Sequence, residues 1–305
     1  MEFIIYNTMA KKKEVFKPIE NGKVSLYTCG PTVYDFSHIG NFRTFIFEDL
    51  LKRWLMHLGY DVTHVMNITD VDDKTIKKSM RLRVDLEKVT DKYISEFMSD
   101  ISWLNLHPAD CFPRATDYIS DMIAMINNLI KKKIAYIGED SSIYFDISSF
   151  KDYGKLANIK LTNDEKINLK GLQDEYNSNT PQDFALWKAR KANDGNVFWD
   201  SPWGQGRPGW HIECSAMSTK LLGNHFDIHC GGVDNIFPHH ENELAQSVSS
   251  NGENFVNYWV HSEHLMIDGE KMSKSKMNFF TLKDLKEKGF TPQSIRYQLL
   301  SGHYR

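Results

Sequence analysis

Cysteine is scarce. The 305 residues hold four, Cys29, Cys111, Cys214 and Cys230, widely separated along the chain. That spacing excludes a small disulfide-stapled scaffold and leaves buried thiols or metal ligands. Long apolar runs are lacking too, and none approaches the ~18 residues of a membrane span. The N-terminal MEFIIYNTMAKKKEVF has too short an apolar stretch, with charges in the wrong order, for a secretory signal. The expected compartment is the cytoplasm, with no membrane partner. Nor is there an excess of positive charge: the net charge is −3, so any contact with nucleic acid must come from local patches. There is no internal repeat and no low-complexity segment. What remains is an ordinary globular composition, 41% hydrophobic and 25% charged. The length allows a sizeable core and two packed units.

KVSLYTCG reads as a short strand closed by a Gly-Pro turn. HIGNFRTFIFEDLLKRWLMHLGY follows, with Ile39, Phe42, Phe45, Ile46, Leu50, Trp54 and Leu58 at helical spacing and Gly59 as C-cap. DVTHVMNIT is the next strand, so the trio predicts a right-handed βαβ unit of a parallel sheet. Helical patterns follow near 86–104 and 115–132. Residues 155–200 are polar and loop-rich and read as an insertion. HFDIHCGG and FVNYWV return to strand, each beside a helical stretch. The tail FTLKDLKEKGFTPQSIRYQLLSGHYR is helical, with Pro292 at a helix start. The expected fold class is α/β, a parallel sheet split by an inserted subdomain.

FPHHENELAQ, residues 237–246, places Pro238 and two glutamates where a helix begins. On such a helix His239 and Glu243 share one face. Alone, this pair fits a solvated helix start as well as a metal site. Cys29 ends the first strand of the βαβ unit, at the sheet edge where ligands bind in open parallel sheets. Cys214 begins the helical stretch in GWHIECSAM. With His239 and Glu243 they complete a Cys₂-His-Glu set that zinc accepts tetrahedrally. His211, Cys230 and His240 are further donors, and spacing does not choose among them. SHIGNFRTF puts histidine and glycine at a helix start after a strand, which suits a phosphate, or a plain helix with Ser37 as N-cap. GEKMSKSKMN carries Lys271, Lys274 and Lys276 with Ser273 and Ser275. It reads as a cationic clamp for a polyphosphate or as an ordinary surface charge run.

Taken together, HIGN and KMSKS around a split α/β domain resemble the paired signatures of class I aminoacyl-tRNA synthetases. YTCGPTVYD, NITDVDDK, PRATDYI, YGKL, DFALWK, GRPGWHIECSAM, FDIHCGG and FPHHENE resemble the cysteinyl-tRNA synthetase family, over almost the whole chain. One departure is Asn41, where class I enzymes often have histidine; its amide still donates to a phosphate but carries no titratable charge. The other is the end at LLSGHYR, where members usually continue into a helical anticodon-binding domain. The resemblance therefore implies the catalytic half alone, with that domain missing.

The implied fold is the class I synthetase Rossmann-like sheet: residues 1–115 as its first half, 116–205 as the inserted connective subdomain, and 206–262 as its second half. Residues 263–305 would carry the KMSKS loop and the start of a helical stem-contact region. The implied function is activation of L-cysteine with ATP and transfer of the cysteinyl group to tRNA(Cys) by a monomer. The resemblance assigns one zinc to Cys29, Cys214, His239 and Glu243, passing over His240 and Cys230. It implies that Trp210 closes over the substrate side chain, that Gly30 and Thr69 meet the amino group, and that His229 faces the carboxylate region. Gly231 and Asp234 would take the ATP ribose. His38, Gly40, Asn41, Lys271 and Lys274 would hold ATP with Mg²⁺ and stabilise the charge growing on its phosphoryl oxygens. The rival readings are a cysteine ligase of mycothiol synthesis, which shares the chemistry but not the acceptor, and a non-catalytic zinc module that binds RNA.

Overall fold

The computed structural model describes residues 2–159, 183–252, 254–267, 269–271 and 279–305. Ile4–Asn7 (β1) and Lys12–Val15 (β2) form an antiparallel hairpin. The Asn7 amide ties it to the main sheet by donating to Asn257 O at 2.9 Å. Lys23–Thr28 (β3), Ile39–His57 (α1) and Asp61–Met66 (β4) make the expected βαβ unit, with β3 and β4 parallel.

The two ends of α1 have local causes. His38, not Ser37, is the N-cap: its Nδ1 accepts from Asn41 N at 3.2 Å while Asn41 Oδ1 accepts from His38 N at 3.1 Å. At the other end Gly59 turns the chain with φ +91, a conformation that costs glycine least. The buried face differs from the apolar stripe. Leu50 and Trp54 are 46% and 38% exposed, whereas Glu48, Asp49 and Lys52 are buried. Two of these polar groups are satisfied by the neighbouring loop and the chain end: Lys52 Nζ donates to Pro108 O at 2.8 Å, and Asp49 accepts from His107 N and from Arg296 Nη2.

Asp73–Leu82 (α2), Leu86–Trp103 (α3) and Ile119–Lys131 (α4) follow. Next come Ala135–Ile137 (β5), Ile143–Phe145 (β6), Phe184–Ala189 (β7) and Gly206–Pro208 (β8), an antiparallel sheet in that order. β7 lies inside the stretch that reads as loop-rich. Its Phe184, Ala185, Leu186 and Trp187 are all buried, so it lacks the alternation by which a half-buried strand is recognised. Most of the polar stretch, 160–182, lies outside the described residues.

Trp210–Leu222 (α5), Phe226–Gly232 (β9), Glu241–Asn251 (α6) and Val256–Ser262 (β10) complete the parallel sheet, whose order is β10-β9-β3-β4. From β3 the chain winds one way to β4, and from β9 the other way to β10. The strand order therefore reverses between β3 and β9, the place where open parallel sheets form a crevice. One core joins the two sheets, with Phe145 and Trp187 packed in the same cluster as Tyr27, Ile212, Phe226 and Trp259.

Met266–Ile267 (β11) and Glu270–Lys271 (β12) pair as a short hairpin. Leu282–Glu287 (α7) and Pro292–Leu300 (α8) end the chain, with Pro292 in the first turn as its sequence suggests. Ile39 N donates to Phe280 O at 2.9 Å and His38 bridges Thr281. The segment after GEKMSKSKMN thus lies against the start of α1. Among the described residues no helix is long and apolar enough to cross a membrane.

Candidate active site and metal centre

A crevice of about 480 Å³ opens over the C-terminal ends of β3 and β9. One end is lined by Cys29, Gly30 and Trp210, the other by His38, Gly40, Asn41 and Asp234. Gly30 is there because nothing larger fits: a Cβ would stand 1.7 Å from the Asn67 carbonyl oxygen. Its N–H donates to Asn67 Oδ1 at 3.0 Å, and the Asn67 amide donates to Thr69 Oγ1 at 3.2 Å.

Beneath Cys29, one ligand atom each from Cys29, Cys214, His239 and Glu243 falls within 4.8 Å of all the others. Three elements supply them: the end of β3, the first turn of α5 and the start of α6 with the turn before it. Cys214, His239 and Glu243 are 1%, 1% and 0% exposed, so the solvated reading of FPHHENE does not hold. Such burial of a carboxylate and two sulfurs is costly without compensation. His239 Nε2 stands 3.0 Å from Glu243 Oε1, yet Oε1 has no aligned hydrogen-bond partner. Two lone-pair-bearing atoms converge instead of facing each other, which is what a shared cation requires. His239 Nδ1 lies 2.9 Å from His211 Nδ1, which fixes the ring and leaves Nε2 toward the group. The residues fit a tetrahedral soft-to-borderline metal.

The electrostatics agree. Burial would raise the Glu243 carboxyl, but His229 and His239 hold it down to about 2. Burial would lower His239, and the charges of Glu243 and Cys214 instead raise it to about 10. Cys214 is drawn down to about 6 against its burial, chiefly by a hydrogen bond from Cys29, whose own thiol is pushed up by the same bond and by burial. A charged, acceptor-rich centre is thus built before any ion enters.

A second donor set overlaps the first: Cys29, His229, His240 and Glu243. His240 Nε2 lies 3.2 Å from Cys29 Sγ, and His229 Nε2 lies 2.9 Å from Glu243 Oε2. These contacts use up the donors that set would offer. His240 Nδ1 is further tied to His261 Nε2 at 2.8 Å, and His261 Nδ1 to Thr8 Oγ1 at 2.8 Å.

Of the other residues singled out by sequence, Trp210 lines the crevice and stacks on His239 at 4.2 Å. Asp234 sits at the rim beside His264. Thr69 and His229 are buried below the crevice floor, and Gly231 packs against His240 while Gly232 lines the opening. Lys271 belongs to β12 by its backbone, and Lys274 lies outside the described residues. His211 and Asn67 are the supporting residues without an assigned role in the sequence reading. His211 stands one helical turn before Cys214, a spacing that signals a shared face.

Residues 15–305 match the family described as tRNA synthetases class I (C) catalytic domain. The chain belongs to that family. Cysteine–tRNA ligase of Chlamydia felis is 55% identical over 302 residues, covering 99% of this chain and 63% of the relative. That of Brachyspira hyodysenteriae is 55% identical over 309 residues, covering 100% and 64%. This class I catalytic domain therefore spans less than two thirds of the curated relatives it matches. Among solved structures, methionyl-tRNA synthetase of Mycobacterium tuberculosis in complex with methionyl-adenylate aligns with a TM-score of 0.67 at 15% identity, covering 91% of this chain and 64% of that one. At that identity the likeness bears on the fold, and the class I Rossmann-like sheet is the fold found here.

Proposed function

We propose that this catalytic domain activates L-cysteine with ATP to cysteinyl-adenylate and delivers the cysteinyl group to tRNA(Cys). The observation that carries the reading is the Cys29, Cys214, His239 and Glu243 group at the closed end of a crevice whose other end is a helix N-terminus. Zinc bound there supplies a Lewis acid that holds a substrate thiol as thiolate, a form the hydroxyl of serine does not match. A pocket selecting by size alone gains only about 1–3 kcal/mol between such near-isosteres.

The chain's own residues account for the rest. Trp210, stacked on His239, covers the side-chain end of the crevice. Gly30 and Thr69, locked through Asn67, hold the turn that faces the amino group. His38 Nδ1 already accepts from Asn41 N, so the neutral ring carries its proton on Nε2 and donates there to a phosphoryl oxygen. The first turn of α1 contains no acidic side chain. Its N–H groups and dipole therefore favour the triphosphate, which would come with Mg²⁺. Asp234 at the rim takes ribose hydroxyls. Lys271 and Lys274 bring positive charge from the segment that precedes Phe280, which is bonded to the α1 start. No enzyme nucleophile is needed, because the α-carboxylate of the amino acid attacks the α-phosphorus.

In the same reading the chain works as a monomer in the cytoplasm, and the antiparallel sheet β5 to β8 is a unit inserted between 1–115 and 206–262. The test is cysteine-dependent ATP–pyrophosphate exchange by the zinc-loaded chain, with serine as control. Lys274→Ala should slow that exchange by about 10²-fold while metal content stays the same. Absence of exchange with folded, zinc-loaded protein would overturn the reading.

A further inference from the structure

Tyr27 stands two positions before Cys29 on β3 and is fully buried. Its ring packs edge-on to His229 at 5.1 Å and tilted to Phe226 at 6.2 Å. The hydroxyl makes no aligned hydrogen bond among the described residues. The acceptor it faces is the sulfur of Cys214. An unpaired buried O–H is unfavourable, and phenylalanine would fill the same space without that cost. A thiol is a poor acceptor. A thiolate is a good one.

We propose that Tyr27 is a positioning residue of the metal centre, its hydroxyl donating to Cys214 Sγ when that sulfur is a metal-bound thiolate. The inference rests on the zinc reading above. Two thiolates and a carboxylate bring more negative charge than a divalent ion offsets. A donor that draws charge from one sulfur leaves the ion better able to accept a further thiolate, and it fixes the direction of the Cys214 lone pairs. Cys29, at the crevice edge, keeps contact with His240 instead. The two sulfurs of the centre are therefore inequivalent by construction.

The experiment compares the chain with Tyr27→Phe, each loaded with Co²⁺ or Zn²⁺. Both should bind one metal per chain. In Tyr27→Phe the sulfur-to-cobalt charge-transfer band should move to lower energy, because the sulfur loses the stabilising O–H. Zinc affinity, measured by chelator competition, should fall about tenfold. Stripped of metal, Tyr27→Phe should melt no lower than the parent, since the hydroxyl makes no bond there for folding to lose. In zinc-loaded parent protein the Tyr27 hydroxyl proton should exchange slowly enough to be seen by NMR. An unmoved band with affinity within twofold of the parent overturns the proposal, as does an equal drop in melting temperature with and without metal. If the parent itself takes up no metal, the zinc reading fails first and this inference with it.

Discussion

Lys188 Nζ lies 3.0 Å from Asp73 Oδ2, joining the antiparallel sheet to the first residue of α2. Arg207 Nη2 bonds the other oxygen of the same carboxylate, and Arg207 Nε lies 3.1 Å from Asp194. Both cationic side chains are 2% exposed while Asp73 is 37% exposed. One carboxylate therefore neutralises two buried cations next to Trp210. Asp73→Asn should destabilise the chain by about 3 kcal/mol, the low end for breaking a buried pair, because Asp73 keeps some water. Urea unfolding measures it. A loss under about 1 kcal/mol would mean that solvent already screens this contact.

The metal assignment separates cysteines that look alike in sequence. Cys214→Ser should lose zinc, while Cys111→Ser, at the sheet edge beside Val65, and Cys230→Ser, buried but in neither donor set, should retain one zinc per chain. His239→Ala should be stripped by a chelator far more readily than His240→Ala. The reverse order in elemental analysis would favour the overlapping set with His229 and His240.

Gly30→Ala tests the crevice wall. The added methyl would enter the Asn67 carbonyl at 1.7 Å, so the turn after β3 must move and take Cys29 with it. Overpacking of this kind costs about 3 kcal/mol or more. Reduced melting temperature and loss of zinc should appear together. Normal zinc content with normal stability would show that the turn yields freely.

His64 makes stability depend on acid. Burial first, and the Lys52 charge second, hold its pKa to about 3, against roughly 6.5 in an unfolded chain. As pH falls through 6.5 the unfolded state binds this proton and the folded state does not. Stability is therefore lost between about 6.5 and 3, at up to about 1.4 kcal/mol per pH unit for this one group. His64→Gln should flatten the slope of unfolding free energy by that amount between about pH 6 and 4. Parallel slopes for the two proteins would show that His64 is protonated in the fold.

The sequence by itself determined the local rules: a β, α, β order that demands a parallel sheet, a glycine pair of turns around α1, and donor types that suit zinc. Its spacing also put His239 and Glu243 on one face, because four residues nearly complete a helical turn. Tertiary structure decided what spacing cannot. Cys29 and His240, 211 positions apart, meet at 3.2 Å only because β3 lies beside β9 in register. That register selects Cys29 and Cys214 for the metal group and leaves Cys230 in the sheet interior. Leu50 and Trp54 show the same limit from the other side: periodicity names an apolar face, but the face that is buried depends on what packs against it, and here Asp49 and Lys52 found partners in distant loops. β7 escaped notice because a strand buried on both faces has no alternation to read. Hydrophobic pattern reports a residue's immediate turn or pleat, whereas a site assembled from three separate segments is fixed by sheet order and register, which only the folded chain contains.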